Sequence, residues 1–184
     1  MKNLFIGLVL GLVIVPLAVF VYFLSGSAPV STSSRPMPFE SLLAHGALHA
    51  RIARERPKTV PIAADEPAYL AGARVYRDQC AVCHSLPGGA QSDIATGMFP
   101  KPPQLFWGKG VTDDEPGETY WKVENGIRLT GMPGFQKSLS ATEMWQVSLV
   151  LANADKLPDS VKRALAPELP VPAAQPATPP TSHP

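Results

Sequence analysis

The segment Cys80-Ala81-Val82-Cys83-His84 constrains this 184-residue chain more than any other feature of its sequence. Two thiols three residues apart, followed directly by a histidine, form the pattern that attaches a c-type haem. On a helical turn residues i and i+3 share a face, so each sulfur can bond one vinyl group of the porphyrin. His84 would then face the iron as its proximal ligand. The motif therefore predicts a domain built around one covalently bound haem c.

Paired cysteines also occur in zinc sites and in redox-active dithiols. A structural zinc site needs four ligands, but the chain has no second cysteine pair, and His45, His49 and His183 lie far along the sequence. A thioredoxin-like dithiol would follow a strand, whereas the run from 65 to 79 has a helical pattern. These observations favour haem attachment.

The distal ligand of the iron is expected among the five methionines. Met132 stands between a glycine and a proline, which prevent a helix and present its side chain from a stiff loop. Met98 follows a glycine and precedes Pro100 by two residues, so it stays open as the alternative. Met144 lies within an apolar helical pattern and is expected in the core. His84 and Met132 are therefore the expected axial ligands.

Between residues 65 and 157 the chain resembles the class I c-type cytochromes, in particular the small bacterial membrane-anchored ones. A glycine and an aromatic residue precede the haem motif in that family, as Gly72 and Tyr76 do here. A Pro-x-Leu follows it, matching Pro103-Gln104-Leu105. The family's ligand methionine sits in a Gly-Met-Pro-like loop before the last helix, which is the position of Met132.

This resemblance implies an all-α fold in which the first and last helices cross, with Gly72 close to the face that carries Trp145. It also implies that the carbonyl of Pro103 accepts a hydrogen bond from Nδ1 of His84 and supports this ligand. Ser85 departs from the pattern, because a glycine often follows the histidine in the family.

Helix signals recur along this part of the chain. Helix starts are predicted at the N-cap candidates Asp65, Asp114 and Ser140, the last with Glu143 as a capping box. Gly126 is expected to end the second helix, and the last helix is expected to run to about residue 153. The Gly- and Pro-rich segment 87–110 is expected to be a loop that wraps the cofactor.

Trp107 and Arg128 are candidates for contacts to the haem propionates, since arginine pairs well with carboxylates. Trp107 is also a core candidate, together with Tyr120, Trp121 and Phe135. Arg128 could equally be an exposed charge at a helix end.

The remainder of the chain divides into three parts. Residues 1–24 contain an uncharged apolar run, Leu4 to Leu24, whose 21 residues would extend about 31 Å as a helix. We expect a retained transmembrane anchor, with a cleaved signal peptide as the alternative. Residues 25–64 are expected to be a tether with a helix at 39–56, and the Pro-rich residues 158–184 a disordered tail.

The expected function follows from two bound axial ligands, which leave no open position on the iron. The chain is expected to be a periplasmic, membrane-anchored carrier of single electrons, and not an enzyme. Its partners would be a quinol-oxidising complex or dehydrogenase and a terminal oxidase. The mildly acidic haem domain, with eight Lys and Arg against eleven Asp and Glu, does not favour nucleic acid. The alternatives are a haem enzyme or gas sensor with a displaceable methionine, and a purely structural subunit.

Overall fold

The computed structural model describes residues 2–107 and 114–167, and within these ranges every regular element is helical. This confirms the predicted all-α fold. In chain order the helices are α1 (Lys2–Leu24), α2 (Glu40–Glu55), α3 (Glu66–Val75), α4 (Ala81–His84), α5 (Asp93–Gly97), α6 (Pro116–Asn125), α7 (Ala141–Ala152) and α8 (Asp159–Leu165), with a π-helical turn at Tyr76–Cys80 between α3 and α4.

Helices α3 and α7 cross at Gly72, as the resemblance implied. A Cβ at this position would collide with the carbonyl oxygen of Gln146 and lie 2.8 Å from Cγ2 of Val150. Helix α6 packs beside them through Tyr120, whose ring stacks on Trp145 with centroids 4.3 Å apart. The core between these helices is close-packed, because a glycine lets the two backbones touch.

Two of the three predicted helix starts are confirmed. Oδ1 of Asp65 accepts a hydrogen bond from the amide of Ala68 at 3.0 Å. Ser140 and Glu143 form the capping box, each side chain accepting from the other residue's amide.

The third helix start differs by one residue from the prediction. The N-cap of α6 is Glu115 and not Asp114, because the following Pro116 holds residue 115 in an extended conformation. The carboxylate of Asp114 instead pairs with Nζ of Lys122 at 2.6 Å.

Residues 158–167 do not form the disordered tail that was expected from residue 158. Helix α8 buries Val161 and Leu165, which lie one turn apart on a single face. Arg77 donates to the carbonyl oxygens of Ala164 and Ala166 at 3.0 and 2.8 Å and so satisfies the end of this helix. The folded domain therefore continues past residue 157, and residues 168–184 lie outside the described part of the chain.

The segment after the haem motif also contains structure that was not expected. Helix α5 lies within the predicted loop and begins where Oγ of Ser92 accepts from the amide of Ala95 at 3.1 Å. Ser92 also donates to the carbonyl of Val82 at 2.5 Å, which ties this short helix to the motif turn. Residues 108–110 of the predicted loop lie outside the described residues.

Helix α1 is long and apolar enough to cross a membrane. A signal sequence near an N-terminus would meet the same criteria of length and composition. The helix is consistent with membrane anchoring. The helix expected in the tether is present as α2.

Candidate haem site

Of the two motif cysteines, Cys80 is the last residue of the π-helical turn and Cys83 lies within α4, which follows directly. Both are free thiols and both are partly buried. Burial, reinforced by the neighbouring Cys83, raises the pKa of Cys80 to about 12. Cys80 is therefore a neutral thiol at physiological pH.

His84 is held by the contact that the resemblance implied. Its Nδ1 lies 2.7 Å from the carbonyl oxygen of Pro103. A carbonyl can only accept, so Nδ1 carries the proton and Nε2 keeps the lone pair that a metal ligand needs. Burial lowers the pKa of His84, while the bond to Pro103 partly opposes this shift. The neutral imidazole is therefore the favoured form.

Tyr76 supports the backbone at the end of the motif. Its fully buried phenol donates to the carbonyl oxygen of Ser85 at 2.7 Å, and its ring meets Phe106 edge-on at 5.0 Å. Burial, together with the neighbouring Cys80, raises the pKa of Tyr76, so the phenol keeps its proton and stays a donor. The aromatic residue four positions before the first cysteine was the signal for this contact in the sequence.

Ser85 occupies a backbone conformation that favours glycine, with φ at 63° and ψ at 160°. Its hydroxyl is buried and has no hydrogen-bond partner. Both features give a physical reason for the glycine that often follows the histidine in the family. Here a side chain is present at a position where it is strained and unsatisfied.

Met132 is presented by a loop that its own hydrogen bonds make rigid. Gly126, with φ at 68°, ends α6 and lets the loop return against the helix end. The carbonyl of Met132 accepts from the amide of Ile127 at 3.1 Å. The hydroxyl of Thr130 accepts from the amide of Met132 at 3.1 Å and donates to the carbonyl of Ile127 at 2.7 Å. The loop therefore holds the backbone of Met132 in one place.

The alternative ligand Met98 packs against the same loop. Its methyl group occupies the space that a Cβ on Gly131 would fill, and its sulfur lies 3.3 Å from that position. The glycine beside Met132 therefore serves a second purpose, which is to admit the side chain of Met98. The structure brings the two candidate distal ligands together, and the choice of Met132 stays a prediction.

Trp107 and Arg128 are both exposed side chains. Trp107 is 60% exposed, so it does not belong to the core as was also considered. Of the other three core candidates, Tyr120 is buried in the core and Phe135 is partly buried against it. Trp121 is partly buried beside α2. The propionate contacts of Trp107 and Arg128 stay predictions.

The residues present fit a covalently bound haem. Two thiols at i and i+3 on a turn and a neutral imidazole with Nδ1 tied to a carbonyl are the donor set that such a haem requires. Apolar side chains also stand exposed on the motif and on the segment that follows it, namely Val82, Ile94 and Phe99. A flat apolar group bound at the motif would find such surface to cover.

Comparison with known proteins gives a family match and partial likenesses to solved structures. A model of the family described as cytochrome c oxidase, cbb3-type, subunit III, matches residues 67–149. No curated protein matches the chain. A chain of the reducing HAO-like protein complex of Kuenenia stuttgartiensis is 25% identical, with a TM-score of 0.44, over 54% of this chain and 51% of that one. The present chain thus spans about half the length of that solved chain.

Proposed function

Residues 67–149 of this chain form a class I c-type cytochrome domain that covalently binds haem c, and from that premise we propose that the protein is a membrane-anchored carrier of single electrons. Cys80 and Cys83 would hold the haem covalently, and His84 and Met132 would bind its iron. When bound, the haem supplies an iron centre that takes up and releases one electron.

The observation that carries this proposal is the hydrogen bond between Nδ1 of His84 and the carbonyl of Pro103. It fixes the tautomer and the orientation of the ring, so that Nε2 is the ligand atom. The hydrogen-bonded loop around Met132 supports this methionine as the second ligand. With both ligands in place the iron has no free position for a substrate, and Met/His ligation raises the reduction potential. Electron transfer is the chemistry that this arrangement favours.

The proposed location is the bacterial inner membrane, with α1 as a single-pass anchor and the haem domain in the periplasm. The uncharged length of α1 supports the anchor. The periplasmic side follows from the resemblance, because haem is attached to such motifs outside the bacterial cytoplasm. An anchor raises the local concentration of partners, so weak docking is sufficient.

The proposed partners are redox proteins and not nucleic acid. The description of the matched family names a subunit of a cytochrome c oxidase, which supports a terminal oxidase as the acceptor. A quinol-oxidising complex or a periplasmic dehydrogenase is the proposed donor. The protein could serve these partners as a free carrier or as a fixed subunit.

The test is the absorption spectrum of the full-length, haem-loaded protein in both oxidation states, with Met132→Ala and Met98→Ala. We expect the reduced spectrum of a c-type cytochrome and, in the oxidised protein, the long-wavelength band of methionine-bound iron. Met132→Ala should abolish this band, and Met98→Ala should retain it. Loss of the band in Met98→Ala alone would reassign the ligand, and carbon monoxide binding by the wild type would favour an enzyme or gas sensor.

A further inference from the structure

Helix α2 has two apolar sides, and only one of them is covered by the protein. The inner side carries Ile52, which is 2% exposed and packs toward α6. Two further contacts hold this side in place. The guanidinium of Arg56 pairs with both carboxylate oxygens of Glu115, at 2.7 and 3.0 Å, and the indole of Trp121 donates to Glu55 at 3.2 Å.

The chain that leaves α2 is also fixed to α6. A Cβ on Gly117 would collide with the carbonyl oxygen of Pro57, so the two backbones are in direct contact. This contact, the bidentate Arg56–Glu115 pair and the burial of Ile52 all act at the C-terminal end of α2, between residues 52 and 57. The C-terminal end of α2 is therefore docked on the haem domain, although the sequence suggested a tether.

The outer side of α2 carries Leu42 and Leu43, and Phe39 precedes them at the N-cap of the helix. These three residues are here called the outer strip. These side chains are 73%, 68% and 69% exposed. Leu43 and Ile52 are nine residues apart, which is about two and a half turns, so they point to opposite sides of the helix. The small residues Gly46 and Ala50 continue the strip along the same side. The strip is an apolar surface that faces away from the domain.

The position and charge of α2 indicate what covers this strip. Fifteen residues, 25–39, separate it from the end of α1, so it lies within about 50 Å of the membrane that α1 would cross. In the segment 25–58, Arg51 and Arg56 are paired with Glu55 and Glu115. The remaining Arg35, Arg54 and Lys58 outnumber Glu40, and this positive charge suits an anionic lipid surface. Three side chains are too few for the roughly 800 Å² per partner of a stable protein interface. A helix already held near the membrane needs much less area to stay on it.

We propose that the outer strip of α2 lies in the lipid headgroup region of the membrane that α1 spans. Helix α2 then contacts lipid on one side and the haem domain on the other, and it sets the height and orientation of the haem domain above the bilayer. This inference rests on the anchor in the proposed function.

The test places the photoreactive residue p-benzoylphenylalanine at Phe39 in the full-length, haem-loaded protein. The protein is reconstituted in nanodiscs of phosphatidylethanolamine and phosphatidylglycerol, and adducts are identified by mass spectrometry after irradiation. The same probe at Ala44, an exposed position of α2 off the strip, is the matched control. We expect lipid adducts from position 39 and few from position 44. Leu42→Gln/Leu43→Gln, which keeps helix propensity, should reduce the adducts at 39 by about tenfold or more.

Each other outcome overturns the inference in a recognisable way. Adducts between two copies of the chain would make the strip a dimer interface. Equal lipid labelling at 39 and 44, or no labelling of a protein that remains in the nanodisc, would show that the strip does not rest on lipid. A protein that does not enter the nanodisc would instead refute the anchor, while its haem spectrum would still report on electron transfer.

Discussion

The phenol of Tyr76 donates a 2.7 Å hydrogen bond to the carbonyl of Ser85, the residue directly after His84. This bond links the buried end of α3 to the backbone that leaves the haem motif. His84, the proposed proximal ligand, is thus fixed from two directions, by Pro103 at its ring and by Tyr76 at the neighbouring peptide. Contacts with the domain core therefore set the orientation of the His84 ring.

Replacing Tyr76 by phenylalanine should therefore destabilise the domain. Tyr76→Phe leaves the carbonyl of Ser85 without its donor, and we expect the free energy of unfolding to fall by about 1–3 kcal/mol. Denaturant unfolding of the haem-loaded protein measures the loss. Tyr69→Phe, at a partly buried tyrosine of α3, is the control and should cost much less. Equal losses in the two variants would show that the Ser85 contact contributes nothing specific.

Ser85→Gly should stabilise the protein. Glycine adopts the backbone conformation of residue 85 without strain, and the substitution removes a buried hydroxyl that has no partner. The gain should be about 1 kcal/mol after the greater freedom of glycine in the unfolded chain is subtracted. Ser85→Ala separates the two causes, because it removes the hydroxyl but keeps the Cβ. If the alanine variant equals the glycine variant, backbone strain at residue 85 is negligible.

Local sequence signals predicted two helix starts correctly, whereas a helix whose packing depends on distant residues was not predicted. Asp65 and Ser140 satisfy amides within three residues, so their roles can be read from the sequence. The apolar pair Val161 and Leu165 was not recognised as the buried face of a helix, because the surrounding sequence is rich in proline. Its burial depends on contacts with the core around α3, which lies more than eighty residues earlier in the chain. The average composition of residues 158–184 therefore did not reveal the helix at its start.

In the candidate haem site, too, local features could be predicted from the sequence and contacts between distant residues could not. The motif predicts Cys80, Cys83 and His84 as the haem-binding residues because their spacing is local, and the contact between His84 and Pro103 was implied by the resemblance. Met98 and Gly131 are 33 positions apart with α6 between them, and no periodicity of the sequence indicates their contact. Two methionines with similar local surroundings could be ranked from the sequence, but their proximity could not be inferred.

Helix α8 should contribute measurably to stability. Leu165 is 1% exposed, so Leu165→Ala should lower the free energy of unfolding by about 2–5 kcal/mol through lost burial and a cavity. Lys162→Ala, on the exposed side of the same helix, should change it by about 0.5 kcal/mol or less. Thermal and denaturant unfolding of the full-length protein give both values. A loss for Leu165→Ala as small as that for Lys162→Ala would contradict the packing of α8 into the domain.

The capping box of α7 should make stability depend on pH. Hydrogen bonds from the amide and hydroxyl of Ser140 lower the pKa of Glu143. Its ionised form therefore stabilises the folded state fully above the unfolded pKa, near 4.3, and this contribution is lost as pH falls through the lower folded value. Melting temperatures of the wild type and Glu143→Gln should differ most near neutral pH and converge in acid. A difference that does not change with pH would exclude the charge as its source.

The contact between Met98 and Gly131 predicts strong coupling between two substitutions. Gly131→Ala places a methyl group where Cε of Met98 now lies, so the methionine must move, and we expect a loss of about 1 kcal/mol. In Gly131→Ala/Met98→Ala the collision is absent, so the double variant should be no less stable than Met98→Ala alone.

Gly97→Ala is the control, because a Cβ at Gly97 meets nothing within 4 Å. Denaturant unfolding of the four proteins in the cycle measures the coupling, and additive losses would mean that Met98 does not occupy this position. The absorption band of methionine-bound iron should persist in Gly131→Ala if Met132 is the ligand, and weaken if Met98 is.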